Sequence, residues 1–429
     1  MPMPVSTWVE VDLDHFAYNL RAVRELLARE RARAAAAAPA NNGAPAPRTP
    51  EILLVLKADA YGHGAVEMAQ AAEREGVAHF GVATLHEGIQ LRQAGCRLPV
   101  VVLSPLLPSE VEEAVAHQLD PTVCDLDFAK ALAAAAESSG RALRFHVEVD
   151  TGMGRIGVRE EHAERFLEQV TALPGLRLAS VYTHFPDADS GDIEFSREQA
   201  RRFGALLERL AAHGIRPPRA HAANSAGTLN LAEAHFDAVR VGLIAYGHRP
   251  PHAPADIPLL PVMSFKSRLV QVRDLPAGAT VSYGRTHVTA RPTRMGVVAV
   301  GYGHGYSWLL SNRGHMLVGG RRVPIIGRVT MDLTMVDLAA APDAAVGDEV
   351  VLFGDQHDEV LSLEEVARGS ETIPYEIMCT IGKRVTRIYV RGGRPVKLTT
   401  LVGESAEWAE QAADHFRLRN QAVAAARRG

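Results

Sequence analysis

The sequence predicts an α/β fold: a (β/α)8 barrel of the TIM type followed by a separate all-β domain. Two observations carry this. Short, apolar, β-prone runs alternate with helix-patterned stretches about eight times in the first 258 residues. From Leu259 onward that alternation stops, and short strands broken by Gly, Pro and Asp follow one another without helices between them. A barrel of this kind takes roughly 250 residues. An open doubly wound sheet is the alternative, but no G-x-G-x-x-G opens a helix here.

Taken in order, the barrel strands are expected at 52–56, 80–83, 100–103, 121–124, 145–149, 178–183, 219–223 and 238–243, with helices such as 65–75, 160–173 and 196–213 between them. The later strands are expected at 270–272, 280–283, 295–300, 316–318, 323–326, 335–338 and 349–353. The barrel domain is placed at 11–258, and the β-domain at 259–397 together with 1–10. Residues 31–50, rich in Ala, Pro and Asn, read as a flexible insertion, and 398–429 as a helical extension whose role the residues do not reveal.

Composition narrows the partners. The chain has 429 residues, 47% hydrophobic and 22% charged, with a net charge of −4 and no long basic run. Nucleic acid and anionic membranes are therefore not expected as partners. Cys96, Cys124 and Cys379 are odd in number and far apart, which suggests neither a disulfide framework nor a metal site. Residues 1–10 lack a secretory pattern, and no apolar run approaches the roughly 20 residues of a membrane span. The expectation is a soluble, cytoplasmic protein.

Barrels of this type collect function at the C-terminal ends of their strands. Lys57 follows the first strand, and Tyr61 with Gly62 and Gly64 follows Lys57. Thr151-Gly152-Met153-Gly154-Arg155 follows the fifth, His184 ends the sixth, Asn224-Ser225 the seventh, and Arg240 with Gly242 lies at the eighth. A partly desolvated lysine suits Schiff-base chemistry. Aromatic or imidazole faces for stacking, with Ser and Gly N–H groups for a phosphate, complete the description of a pyridoxal phosphate pocket.

The motifs VLKADAYGHG, DTGMGRIG, THF, HAANSAG, RVGLIAYG, VSYGRT, GRVTMD and IPYEIMCTIGKRVTRIY occur in that order between about Thr7 and Tyr389. In these the chain resembles the alanine racemases, barrel-type pyridoxal-phosphate enzymes that interconvert L- and D-alanine by two-base proton transfer at Cα and supply D-alanine for peptidoglycan. The resemblance implies that Lys57 carries the cofactor as an aldimine and then acts as one base. It implies phosphate contacts from Tyr61, Ser225, Gly242, Leu243 and Tyr375, and His184 packed against the pyridine ring. Arg155 would bond the ring phenolate oxygen and help bind substrate, and Arg240 would face the ring nitrogen. Tyr283 would be the second base and Met331 a contact for the substrate carboxylate, both supplied across a head-to-tail homodimer. Tyr302 would line the substrate corridor.

Three positions depart from that pattern. Glu148 stands where many relatives carry a lysine, often carbamylated, that contacts the arginine matching Arg155. His304 replaces a usual aspartate, and Thr330 stands where Cys or Ser is frequent. The competing readings are a broader amino-acid or serine racemase, a non-catalytic pyridoxal-phosphate-binding protein, and a barrel-type decarboxylase. Tyr283 and Met331 in the β-domain argue against the second, and Arg240 against the third.

Overall fold

The computed structural model describes residues 5–37, 48–254, 257–404, 410–414 and 416–417. Its contacts divide the chain into two units, one of Ala17–Ala60 and Ala65–Leu260, the other of Met1–Phe16, Tyr61–Gly64 and Pro261–Gly429.

The first unit is the expected barrel. Eight parallel strands, Glu51–Val55, His79–Val82, Val100–Pro105, Asp120–Thr122, Leu143–Asp150, Leu176–Tyr182, Ala220–His221 and Ala238–Val241, each pair with the next, and the eighth pairs back onto the first. The fourth and fifth are joined only at Thr122 and His146, and the eighth meets the first with Arg240 opposite Leu53. Between strands, amphipathic helices turn one apolar stripe inward: Glu160–Thr171 buries Ala163, Phe166, Leu167 and Val170. Thr84 and Glu87 form a reciprocal cap on Leu85–Gln93, and Asp125 caps Leu126–Ser139.

Among the described residues, no helix long enough to cover the barrel directly follows the eighth strand. The buried Asn19, on the helix Leu13–Ala37, instead donates to the carbonyls of Ala245 and Leu260 and accepts from the Leu260 N–H. The flexible segment expected from residue 31 is corrected in its first part, because 31–37 continue this helix. Alanine and arginine are strong helix formers, and no Gly or Pro intervenes before 38. Residues 38–47 lie outside the described residues.

The second unit is mostly β. Its main sheet runs Arg321–Pro324, His315–Val318, Glu349–Gln356, Met263–Leu275, Thr7–Asp12, Thr386–Arg391, Arg394–Thr400 and Gly403–Glu404, with Thr293–Val298 also on Met263–Leu275 and Thr334–Asp337 beyond it. The strand expected at 270–272 is thirteen residues long, and two short helices, Leu363–Gly369 and Pro374–Thr380, interrupt a stretch read as all-β. The helical extension placed at 398–429 begins as strand. Helix is described only at 410–414 and 416–417, and the other residues after 404 lie outside the described residues. Ala412 and Phe416 are buried with Trp8, Ile388, Val390 and Leu398, so this stretch belongs to the core of its unit.

Candidate active site

Lys57 leaves the first barrel strand directly into a left-handed turn. Ala58, Asp59, Ala60 and Tyr61 all have φ of 53–54°, a conformation that disfavours L residues by about 1–2 kcal/mol each. Three hydrogen bonds hold its barrel part. The Glu87 carboxylate accepts from the Ala58 N–H at 2.7 Å, Leu56 accepts from the Ala60 N–H at 2.8 Å, and the Asp59 carboxylate accepts from the Ala65 N–H at 2.8 Å. The residue after this turn is Gly62. With φ of 77°, it sits where a Cβ would overlap the Met378 carbonyl.

Arg240 is the most constrained side chain of the barrel mouth. Only 4% exposed, it donates to the carbonyls of Thr183 (2.7 Å), Ala222 (2.8 Å) and His221 (3.2 Å). It also donates to Nδ1 of His184 (2.9 Å) and of His221 (2.8 Å). A guanidinium has only donors, so both Nδ1 atoms accept and both imidazoles carry their proton on Nε2. Burial and then Arg240, Arg155 and Lys57, in that order, hold His184 well below the usual histidine range. Lys57, Arg155 and Arg240 thus all act electrostatically on His184, as expected for residues gathered at the strand ends.

Ser225 is buried, and its Oγ accepts the Gly242 N–H at 3.0 Å and the Ile244 N–H at 3.5 Å. Its own O–H remains to donate. Leu243, next to Gly242 in sequence, is also buried. In the loop carrying Arg155, the Asp150 carboxylate accepts from the Gly152 and Gly154 N–H groups. Thr151 and Thr183 share a 2.7 Å hydroxyl contact, and Gln199 donates to Thr151 and to the His184 carbonyl. Arg155 itself is exposed.

Glu148 is 2% exposed. Burial raises its carboxyl above the usual range, while Arg240, Arg155 and a hydrogen bond with Tyr182 act in the opposite sense. Sequence reasoning did not identify His221 or Tyr182, whose rings stack 4.8 Å apart with the Arg240 guanidinium over Tyr182. The signal was present as polar residues at alternating positions in otherwise apolar strands, such as His146 and Glu148 in FHVEVD.

The remaining sequence candidates lie in the second unit. Tyr61 is buried with its ring 5.9 Å from that of Tyr375, and burial pushes its phenol well up. Tyr283 was expected on a strand, but the strand Thr280–Val281 ends before it. Ser282, at φ of 63°, turns the chain and leaves Tyr283 73% exposed. Met331 is 52% exposed, on a loop fixed by the Gly303 N–H donating to its carbonyl and by Thr330 bonding Leu333 through both its hydroxyl and its N–H. Tyr302, Trp308, Leu309 and Leu333 are also exposed. His304 accepts the Gly301 N–H on Nδ1 and is held below the usual range by burial and Arg384. Among the described residues, no cluster could hold a metal and no helix is long and apolar enough to cross a membrane.

Residues 40–250 match the family profile "Alanine racemase, N-terminal domain", and 262–389 match "Alanine racemase, C-terminal domain". The chain is 41% identical over 399 residues to the alanine racemase of Desulfosudis oleivorans, covering 90% of this chain and 97% of that protein. The crystal structure of the alanine racemase from Bacillus anthracis with bound L-Ala-P superposes with a TM-score of 0.83 at 34% identity, covering 94% of this chain and 99% of that one. The Bartonella henselae alanine racemase with covalently bound pyridoxal phosphate gives 0.77 at 25%, covering 90% and 100%. With both domains matched and these relatives covered almost end to end, the chain belongs to the alanine racemase family.

Proposed function

We propose that this chain interconverts L- and D-alanine with pyridoxal 5'-phosphate, using Lys57 and Tyr283 as the two acid/base groups. The observation that supports this most is Arg240, buried in the barrel and held by five hydrogen bonds beside His184, with Lys57 and Arg155 acting on the same imidazole.

The barrel residues fit an anionic cofactor. Three cations act around His184, and the Ser225 hydroxyl keeps a proton to donate next to the Gly242 backbone. Lys57 would hold the cofactor, Arg155 its phenolate oxygen, Arg240 its ring nitrogen, and Ser225 with the Gly242 and Leu243 backbone its phosphate. The phosphate roles of Tyr61 and Tyr375 rest on their motifs. Bound there, the cofactor supplies an electron sink that acidifies the Cα–H of alanine.

Arg240 limits that sink. A guanidinium donates a hydrogen bond but does not give up its proton at working pH, so the ring nitrogen stays unprotonated. The charge left at Cα is then short-lived, which favours rapid return of a proton to Cα over loss of the amino group. Neutral His184, with Nδ1 committed to Arg240, adds no competing acid at that position. Lys57 exchanges the proton on one face of Cα and Tyr283 on the other.

Tyr283 and Met331 stand exposed on the second unit, as residues used by another copy of the chain would, and the proposal includes a head-to-tail homodimer in which each copy supplies them to its partner. A cytoplasmic role in supplying D-alanine for peptidoglycan follows from the activity. The test is chiral chromatography after incubation with single-enantiomer alanine and pyridoxal phosphate. Interconversion in both directions is expected, abolished in Lys57→Ala and reduced by a factor on the order of 10²–10⁴ in Tyr283→Phe. Racemisation that survives unchanged in Tyr283→Phe would overturn the two-base assignment.

A further inference from the structure

At the end of the barrel away from Lys57 there is a second chamber, whose walls are largely apolar with polar groups set among them. A cavity of about 200 Å³ is lined by residues at or near the starts of the strands, among them His79, Asp120, Arg144, Arg177 and Arg219, with His146 and Ser180 from farther along. That volume is room for several water-sized groups.

The hydrogen bonds around it have one direction. Arg240 donates to His221 Nδ1, so His221 carries its proton on Nε2 and donates to Ser180 Oγ at 2.9 Å. Ser180 is 1% exposed and has no other acceptor among the described residues, so its O–H donates to His146 Nδ1 at 2.6 Å, which places the His146 proton on Nε2. His146 is 5% exposed, yet that Nε2–H has no hydrogen-bond partner, and the nearest carboxylate oxygen, Asp120 Oδ2, lies 3.9 Å away. A buried donor left unpaired costs about 1–3 kcal/mol. The chain of donors therefore ends in the cavity on a group that lacks an acceptor.

The charges there also call for one. Arg144 engages both oxygens of Asp120, at 3.3 and 2.5 Å, and Arg219 both oxygens of Glu51, at 2.7 and 3.3 Å, with His79 on the same Glu51 carboxylate at 3.1 Å. Arg177, exposed at the rim, has no ion pair among the described residues. Three guanidinium groups against two carboxylates leave one positive charge uncompensated. We propose that this barrel-floor cavity is a binding site for a small monovalent anion of halide or formate size, with His146 Nε2–H as its central donor and Arg177 as its unpaired cation. The neighbouring Asp120 does not oppose this, because its charge is already matched by Arg144. An anion here would fix the His146 tautomer, and through Ser180 and His221 the acceptor that orients Arg240.

The probe is bromide, used on the full chain. Crystals soaked in sodium bromide should show an anomalous peak within hydrogen-bonding reach of His146 Nε2. Melts at constant ionic strength, with bromide replacing gluconate, should show a saturable rise in midpoint. His146→Gln, whose amide N–H reaches the same place, should keep that response, and His146→Leu should weaken it at least tenfold. Arg177→Ala, a rim substitution that spares the core, should raise the bromide half-saturation severalfold and covers the case in which His146→Leu fails to fold. A cavity holding only water in the soaked crystals, or a bromide response unchanged in Arg177→Ala and in the His146 variants, would overturn the proposal. Neither readout depends on racemase activity.

Discussion

The two units carry their candidate residues in opposite ways. In the barrel, Arg240, Glu148 and Ser225 are each at most 5% exposed and are tied down by hydrogen bonds or nearby charges. In the second unit, Tyr283, Met331 and Tyr302 are between 46% and 73% exposed. Only the backbone around them is fixed: Ser282 donates to the Arg328 carbonyl at 2.7 Å, and the Tyr302 N–H bonds Thr330 at 3.0 Å. The barrel thus presents a finished grip, whereas the second unit presents hydrogen-bonded loops whose side chains stand largely in the open. Buried preorganisation suits holding a cofactor; exposed, well-anchored side chains suit delivery to another molecule.

The sharpest way to break this contrast is to put its halves on different copies. Lys57→Ala and Tyr283→Phe proteins should each be nearly inactive. Unfolded together and refolded, they should recover roughly a quarter of wild-type activity, because half the dimers are mixed and each mixed dimer has one intact site. No recovery, with mixed dimers verified by mass spectrometry, would mean that each copy uses its own Tyr283.

A second prediction concerns the buried side of the contrast. On the reading that Glu148 provides the negative charge facing Arg155 and Arg240, Glu148→Gln should lower kcat about tenfold, in line with loss of about 1.4 kcal/mol of transition-state stabilisation. Bicarbonate should leave the wild-type rate unchanged; a marked response would show that some other group provides the charge.

The smallest effect expected is on stability in acid. Burial holds His79, His184, His221 and His235 of the barrel below their ordinary values, against His304 in the second unit. Below pH about 6.5 the unfolded chain takes up protons that these folded histidines refuse. Their contribution is therefore fully present above that pH and is lost as pH falls through it. The tryptophans among the described residues, Trp8 and Trp308, belong to the second unit. Between pH 7.5 and 5.5, the urea midpoint read by helical circular dichroism should fall further than that read by tryptophan fluorescence. Equal shifts would remove the distinction.

The barrel was legible because most of its strands lie within short, largely apolar runs in a repeating context. Even the two-residue strand Ala220–His221 was found inside the run 219–223. The rule that barrels collect function at strand ends also picks out Lys57, Arg155, His184, Ser225 and Arg240 at or just after the expected strands. The second unit was harder to read. Thr7–Asp12 is buried along nearly its whole length because it lies between two other strands, and nothing local in TWVEVD announces neighbours more than 250 residues away. Thr386–Arg391 and Arg394–Thr400 are rich in charge, which obscures their alternation. The turn after Lys57 was unreadable for another reason. Ala58, Asp59 and Ala60 do not favour a left-handed backbone, and bonds to Glu87, Leu56 and Ala65 impose it.

The position of Thr7–Asp12 also has a consequence for synthesis. It is made long before both strands it pairs with, Met263–Leu275 and Thr386–Arg391, so its register cannot form until those have emerged. At about 5–20 residues per second, some 250 residues of waiting amounts to roughly ten seconds to a minute. Through that interval Trp8, Val9 and Val11 are without the core that later buries them, while the barrel between can already close. Slowing translation would lengthen this exposed phase, and a chaperone that shields short apolar segments on the ribosome would matter more for the yield of this protein than one acting on the released chain.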